Sequence, residues 1–124
     1  MPKMINSFDI DGVIYMGEGR TGVCPHPNDI IITGRSITQL EETQAQLKKF
    51  GIYNQVFYNP LNRNDPKYSR VESGRWKAKV LTLIKKSYIV NIHFEDDPVQ
   101  INEIKKVHPD LTIVHLDHSG LVEK

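Results

Sequence analysis

The sequence predicts an α/β fold in which a parallel sheet of about five strands lies between layers of helices. Three observations predict it. Short apolar runs that read as buried strands alternate with amphipathic segments along the whole chain, which is the order of β-α-β units. One of those segments, "SITQLEETQAQLKKFG", carries helix signals at both ends. The 124 residues, 39% of them hydrophobic, suffice for one core and fall short of two ordinary domains. Residues 1–124 are therefore expected to form a single domain.

The first strand is "MINSFDI" and the second "DIIITGR". The helix that follows has Ser36 as N-cap with Gln39 three residues on, Glu41 and Glu42 near its positive end, and Gly51 at its close. Ile37, Leu40, Leu47 and Phe50 share one stripe, which should face the core. "NQVFYN" is the third strand. A second helix is expected from about Trp76 to Lys86, with Trp76, Val80, Leu83 and Ile84 inward. "YIVNIHFE" is the fourth strand, "PVQINEIKKVH" a third helix and "LTIVHL" the last strand. Gly12 to Asn28 and Asn59 to Arg75 read as irregular, and there is no internal repeat or low-complexity tract. Strands joined in this way by helices lie parallel, with helices on both faces.

No apolar run approaches the length of a membrane span, and the N-terminus lacks the long apolar stretch of a secretory signal, so a cytoplasmic protein without membrane attachment is expected. Cys24 is the single cysteine, which excludes an intramolecular disulfide; it reads as a small loop or core residue and not as a nucleophile. The net charge is +1, yet the segment from Arg63 to Lys86 holds eight basic and two acidic residues. Most of these side chains read as solvated faces. Their combined positive field suits an anionic substrate.

Ligands of such sheets gather at the carboxyl ends of the strands. There the sequence places Asp9 and Asp11, then Thr33-Gly34-Arg35, then Glu95-Asp96-Asp97, with Lys77 at the start of the helix leading into the fourth strand. Each residue has a plainer reading. Asp-x-Asp-Gly is common in surface turns. A calcium loop is excluded, because Val13 and Arg20 stand where its pattern needs oxygen ligands. Ser36 reads as a helix entry, and Asp97-Pro98 as an N-cap with proline at N1, which leaves Asp96 as the preferred metal ligand. Lys77 and Lys79 could both be exposed helix lysines, and His115 and His118 read as surface histidines. Taken together, carboxylates from two strand ends make a hard oxygen site suited to magnesium. With a hydroxyl and a lysine to hold phosphate oxygens, the set describes phosphoryl transfer, one aspartate acting as nucleophile and the other moving a proton. A receiver domain of two-component signalling also combines acidic residues, Thr and Lys on a parallel sheet, but there the lysine follows the hydroxyl after the last strand, whereas Lys77 precedes the acidic pair.

In the order "FDIDGVI", "IIITGR", "WKAKVL" and "HFEDD", the chain resembles the haloacid dehalogenase (HAD)-like superfamily of aspartate-dependent phosphohydrolases. The resemblance covers nearly the whole chain and implies a three-layer, Rossmann-like sheet and a phosphatase. It implies Asp9 as the nucleophile that forms an aspartyl-phosphate, Asp11 as general acid/base, and Thr33 with Gly34, Arg35 and Lys77 as the phosphate-binding groups. Magnesium would be held by Asp9, Asp96 and the Asp11 carbonyl. Lys77 is preferred to Lys79 because Leu81 follows it at the family's Lys-x-x-x-Leu spacing. The same segments look like the phosphatase-like domains associated with RNA repair and, more loosely, like polynucleotide 3′-phosphatases. Those often carry arginine at the position of Asp97 and a histidine near that of Gln100.

Neither irregular stretch has room for a separate cap domain. An uncovered site admits bulky substrates, a nucleic-acid end among them. Arg63, Lys67, Arg70 and Arg75 are then candidate backbone contacts, with Tyr58, Tyr68 and Trp76 interleaved as a stacking surface. Two functions follow: a magnesium-dependent phosphomonoesterase acting through an aspartyl-phosphate, and a non-catalytic module of the same fold that binds phosphate or nucleic acid.

Overall fold

The computed structural model describes residues 2–117. Its sheet is built from β1 (Lys3–Phe8), β4 (Ile30–Ser36), β5 (Val56–Asn59), β6 (Tyr88–Glu95) and β7 (Thr112–His115), with β2 (Tyr15–Gly17) and β3 (Arg20–Thr21) forming a separate hairpin. The five strands run in the spatial order β5-β4-β1-β6-β7 and every pairing is parallel. β1 is thus central, flanked by the two strands that carry the other polar strand ends. The helices are α1 (Leu40–Lys49), α2 (Arg70–Ile84) and α3 (Pro98–Val107).

Side chains alternate across the sheet with a period of two, so neighbouring residues serve opposite layers. In β4, Ile30 and Ile32 join Val80, Leu81, Ile84 and Ile104 from α2 and α3, while Ile31 joins Phe8, Ile10 and Leu47 on the α1 side. The α/β architecture expected from the sequence is therefore present as three layers, α1 on one face and α2 with α3 on the other. Gly74 lets α2 and α3 approach closely: a Cβ there would lie 2.8 Å from Glu103 Cβ and 2.9 Å from Gln100 Cα.

Three local expectations change. Helix α2 begins at Arg70, about two turns before Trp76, because Ser69 caps it by accepting the Glu72 amide at 3.1 Å. Its inward face is consequently Ser73, Lys77, Val80, Leu81 and Ile84, and Leu83 is 56% exposed. Ser36 does cap, with Gln39 completing the capping box, but it caps a 3₁₀ turn over Ile37–Gln39 that precedes α1 and leaves Ile37 on the surface. The stretch after Gly12 contains the β2-β3 hairpin. No helix among the described residues is long and apolar enough to cross a membrane.

Candidate active site

Asp9 and Asp11 emerge where β1 ends, in a turn closed by three amides, those of Val13, Ile14 and Tyr15, on the Ile10 carbonyl. Ile10, Val13 and Ile14 are buried apolar anchors of that turn, so the chain has little freedom in how it presents the carboxylates between them. Asp9 stays tied to the sheet through its amide, which donates to the Phe94 carbonyl at 3.1 Å, and its side chain is buried. Asp11 turns outward, its side chain 59% exposed.

Lys77 reaches this point from α2 and is wholly buried. Its ammonium lies 3.1 Å from Asp9 Oδ1 and 2.7 Å from Glu95 Oε1. Burial alone would depress the ammonium, but Asp9 and Glu95 outweigh it and hold Lys77 above its ordinary value. Lys79, two residues on, is exposed. Glu95 is also contacted by His93, whose Nε2 lies 3.1 Å from the same Oε1, while the His93 Nδ1 lies 2.7 Å from the Ser7 hydroxyl. Ser7 and His93 are register partners on β1 and β6. Burial, reinforced by Lys77, pulls His93 down to about 3, so the ring is neutral. The network then assigns the proton to Nε2, which donates to Glu95, and leaves Nδ1 to accept from Ser7.

Asp9, Glu95 and Asp96 each offer an oxygen, and these oxygens lie within 4.8 Å of one another. Three carboxylates against the one Lys77 ammonium give the cluster a formal charge that a divalent cation would balance. Two further features fit a cation. Glu95 Oε2 is buried with no hydrogen-bond partner among the described residues, and burial, with Glu95 adding to it, pushes the Asp9 carboxyl up to about 8 despite Lys77. An all-oxygen donor set is the chemistry magnesium prefers.

The raised Asp9 pKa predicts a pH dependence. Its folded value exceeds the unfolded one, so its contribution to stability is fully present below the unfolded value and is lost as pH rises through about 8. A cation needs the ionised form and competes with the proton. The rise in Tm on adding magnesium should therefore be larger above pH 8 than near pH 6, with affinity weakening by up to tenfold per pH unit below the Asp9 value. A magnesium shift that shrinks with rising pH would contradict the assignment.

Gly12 shapes the same site. It adopts φ +80°, and a Cβ there would collide with the Asp96 carboxylate. Gly12→Ala should cost about 1–3 kcal/mol and weaken magnesium binding, read by denaturant titration and calorimetry. Unchanged stability would show that the turn relaxes freely.

Asp11 does not belong to the carboxylate cluster; only its expected backbone carbonyl remains as a metal contact. Its two oxygens are held by Arg35, at 2.9 Å from Nε and 2.6 Å from Nη2. Arg35 also bonds Thr43 Oγ1 at 3.3 Å and packs over the Tyr15 ring. The guanidinium expected to face phosphate is thus engaged by a carboxylate in this state. Thr33 is fully buried, and its hydroxyl oxygen accepts the Arg35 amide at 3.0 Å, which leaves its hydrogen to donate. Asp97 is spent on structure, as the cap reading has it: it accepts from Val99 N at the start of α3 and pairs with Arg70 at 2.6 and 2.9 Å. Hydrogen bonding from Arg70, the largest influence on it, holds the Asp97 carboxyl below its ordinary value. Glu95, not Asp97, is the neighbour of Asp96 in the cluster.

These groups open into a cavity of about 940 Å³ whose walls include Asp9, Asp11, Gly34, Arg35, Lys77 and Asp96. The four cations expected along one backbone-binding surface divide. Arg63 and Arg70 line this cavity, whereas Lys67 and Arg75 line a separate groove beside Trp76. Arg75 is paired with Glu72 and Glu103. Cys24 is exposed. His115 Nε2 lies 3.1 Å from the Asp96 carbonyl; His118 lies outside the described residues.

No protein-family model matches the chain, and no curated protein matches its sequence. Among solved structures it is similar to a chain in the structure of the Pnkp1/Rnl/Hen1 RNA repair complex, with a TM-score of 0.68 and 15% identity. The likeness is one of fold. It covers 94% of this chain and 43% of the other, so the present chain spans less than half of that protein's length.

Proposed function

We propose that residues 1–124 form a capless, HAD-like phosphomonoester hydrolase that depends on magnesium, works through an aspartyl-phosphate, and acts on nucleic-acid ends or another bulky phosphorylated substrate. The observation that carries this reading is the buried Lys77 ammonium set between Asp9 and Glu95 beside Asp96, at the strand ends where a cavity opens. The fold shared with a chain of an RNA repair complex supports the substrate class.

In this reading the Asp9 carboxylate attacks phosphorus, and the ester P–O bond breaks as Asp11 gives a proton to the leaving oxygen. Water then attacks the same phosphorus, Asp11 takes its proton, and inorganic phosphate leaves Asp9 free. Lys77 offsets charge on Asp9 and the phosphoryl group, while the Thr33 hydroxyl and the Gly34 backbone hold phosphoryl oxygens. Asp9 and Asp96, with Glu95 and the Asp11 carbonyl, would hold magnesium, which when bound supplies positive charge to the transferring group. Glu95 and His93 keep Lys77 in place from behind. Arg35 must release at least one Asp11 oxygen before that carboxyl can carry a proton, and the substrate's phosphate oxygens compete for the same guanidinium.

The Arg35–Asp11 pair also favours a second reading, in which the proton-moving group stays clamped and the module binds phosphate without turning it over. Hydrolysis of p-nitrophenyl phosphate with and without magnesium separates the two. Metal-dependent turnover supports the hydrolase. Phosphate binding with no turnover under any metal supports the binding module and overturns the enzyme.

A further inference from the structure

We infer that Arg63 forms a subsite for the phosphodiester adjoining the scissile phosphate, so that the cavity selects the end of a nucleic-acid strand over an isolated phosphomonoester. The inference rests on the phosphatase reading and deepens it.

Four cations line the cavity: Arg35, Arg63, Arg70 and Lys77. Three of them are committed internally, Arg35 to Asp11, Arg70 to Asp97, and Lys77 to Asp9 and Glu95. Arg63 has no acidic partner among the described residues. A second anionic group on the substrate can therefore be met by Arg63 without breaking an existing pair. Glu42, which α1 contributes to the same cavity, repels such a group and biases the strand toward the loop that carries Arg63.

That loop, between β5 and α2, is held by its own polar side chains. Asn59, Asn62 and Asp65 accept the amides of Leu61, Asn64 and Lys67 at 3.0, 3.0 and 2.8 Å. The Tyr68 hydroxyl donates to the Gly34 carbonyl at 2.6 Å, which fastens the loop to the end of β4 beside Thr33. Such bonds order the backbone that carries the Arg63 guanidinium. Ordering it further on binding then costs little entropy. The planar fork of arginine suits a phosphate bearing two free oxygens.

The test compares kcat/KM with magnesium for a trinucleotide bearing a terminal 3′-phosphate, one bearing a terminal 5′-phosphate, and the matching nucleoside monophosphates. The trinucleotide of the productive polarity should exceed its monophosphate by roughly tenfold, the worth of one charge-assisted contact. Arg63→Gln should remove that ratio and flatten the log-log salt dependence by about 0.7. Lys48→Gln, an equal charge change outside the cavity, should leave the ratio unaltered. A ratio near one in wild type, or one that survives Arg63→Gln, overturns the subsite. So does a phosphopeptide that gains more from an adjacent carboxylate than any trinucleotide gains from its phosphodiester. If p-nitrophenyl phosphate is not hydrolysed at all, the phosphatase reading fails, and the subsite is then judged by the equilibrium affinity of the phosphorylated trinucleotides for wild type and Arg63→Gln.

Discussion

Asp9→Asn should lower phosphatase turnover by roughly 10⁴-fold or more, the scale seen when a covalent nucleophile is removed, while leaving the protein as stable as wild type or more so. The two halves of this expectation come from one arrangement. An amide cannot form the acyl-phosphate, so no phosphoenzyme accumulates in a rapid quench. The same substitution removes one of three clustered carboxylates that a single ammonium must balance. Because burial and Glu95 hold the Asp9 carboxyl near 8, the folded protein must keep at neutral pH a proton that the unfolded chain has released, which costs stability, and asparagine removes that cost. The metal-free protein should then show a flatter stability profile between the ordinary carboxylate range and about pH 8. Asp11→Asn behaves differently. It should form phosphoenzyme from a good leaving group such as p-nitrophenolate and stall at its hydrolysis, since only proton transfer is lost. Turnover by Asp9→Asn equal to wild type would end the nucleophile assignment, and a marked fall in its Tm would end the charge argument.

Legibility varied with how local the determinant was. Strand positions were readable because an apolar run flanked by polar residues has one buried solution in a parallel sheet, and β4 and β6 lie where "IIITGR" and "YIVNIHFE" put them. The beginning of α2 was hidden by its composition. "RVES" is polar and Gly74 weakens any helix propensity, although Ser69 followed three residues later by Glu72 is the local signature of a helix start. Gly74 makes sense only once α3 is seen packed against it. The capping role of Asp97 followed from local rules, whereas the preference for Lys77 over Lys79 came from the family resemblance. The roles of His93 and Glu95 followed from neither, because they depend on β1 and β6 being neighbours, a long-range fact. Alternation along "NIHFE" does place His93 and Glu95 on one face, a signal that could have paired them. The engagement of Arg35 with Asp11 likewise needs residues 24 positions apart to meet.

Lys77→Met should destabilise the protein by about 3–5 kcal/mol, the cost of leaving a buried charge without its partner, and lower Tm by roughly 10–20 °C for a domain of this size. Methionine fills much the same volume, so packing alone predicts a small change. The loss arises because Glu95, fully buried, already has one oxygen without a partner among the described residues and would lose the ammonium at 2.7 Å from the other. Asp9 would lose its cation as well. Lys79→Met, on the exposed side of the same helix, removes an equal charge and should stay within about 0.5 kcal/mol of wild type. Adding Glu95→Gln to Lys77→Met should recover part of the stability, since the amide keeps an acceptor for His93 and no longer buries an unpaired carboxylate. Activity should not return in that double variant, because the ammonium beside Asp9 is still missing. Urea titrations of wild type and these three variants measure the differences. Equal stability of Lys77→Met and Lys79→Met would mean that water reaches the cluster and solvates it. A double variant less stable than Lys77→Met alone would mean that Glu95 is held by groups other than the lysine.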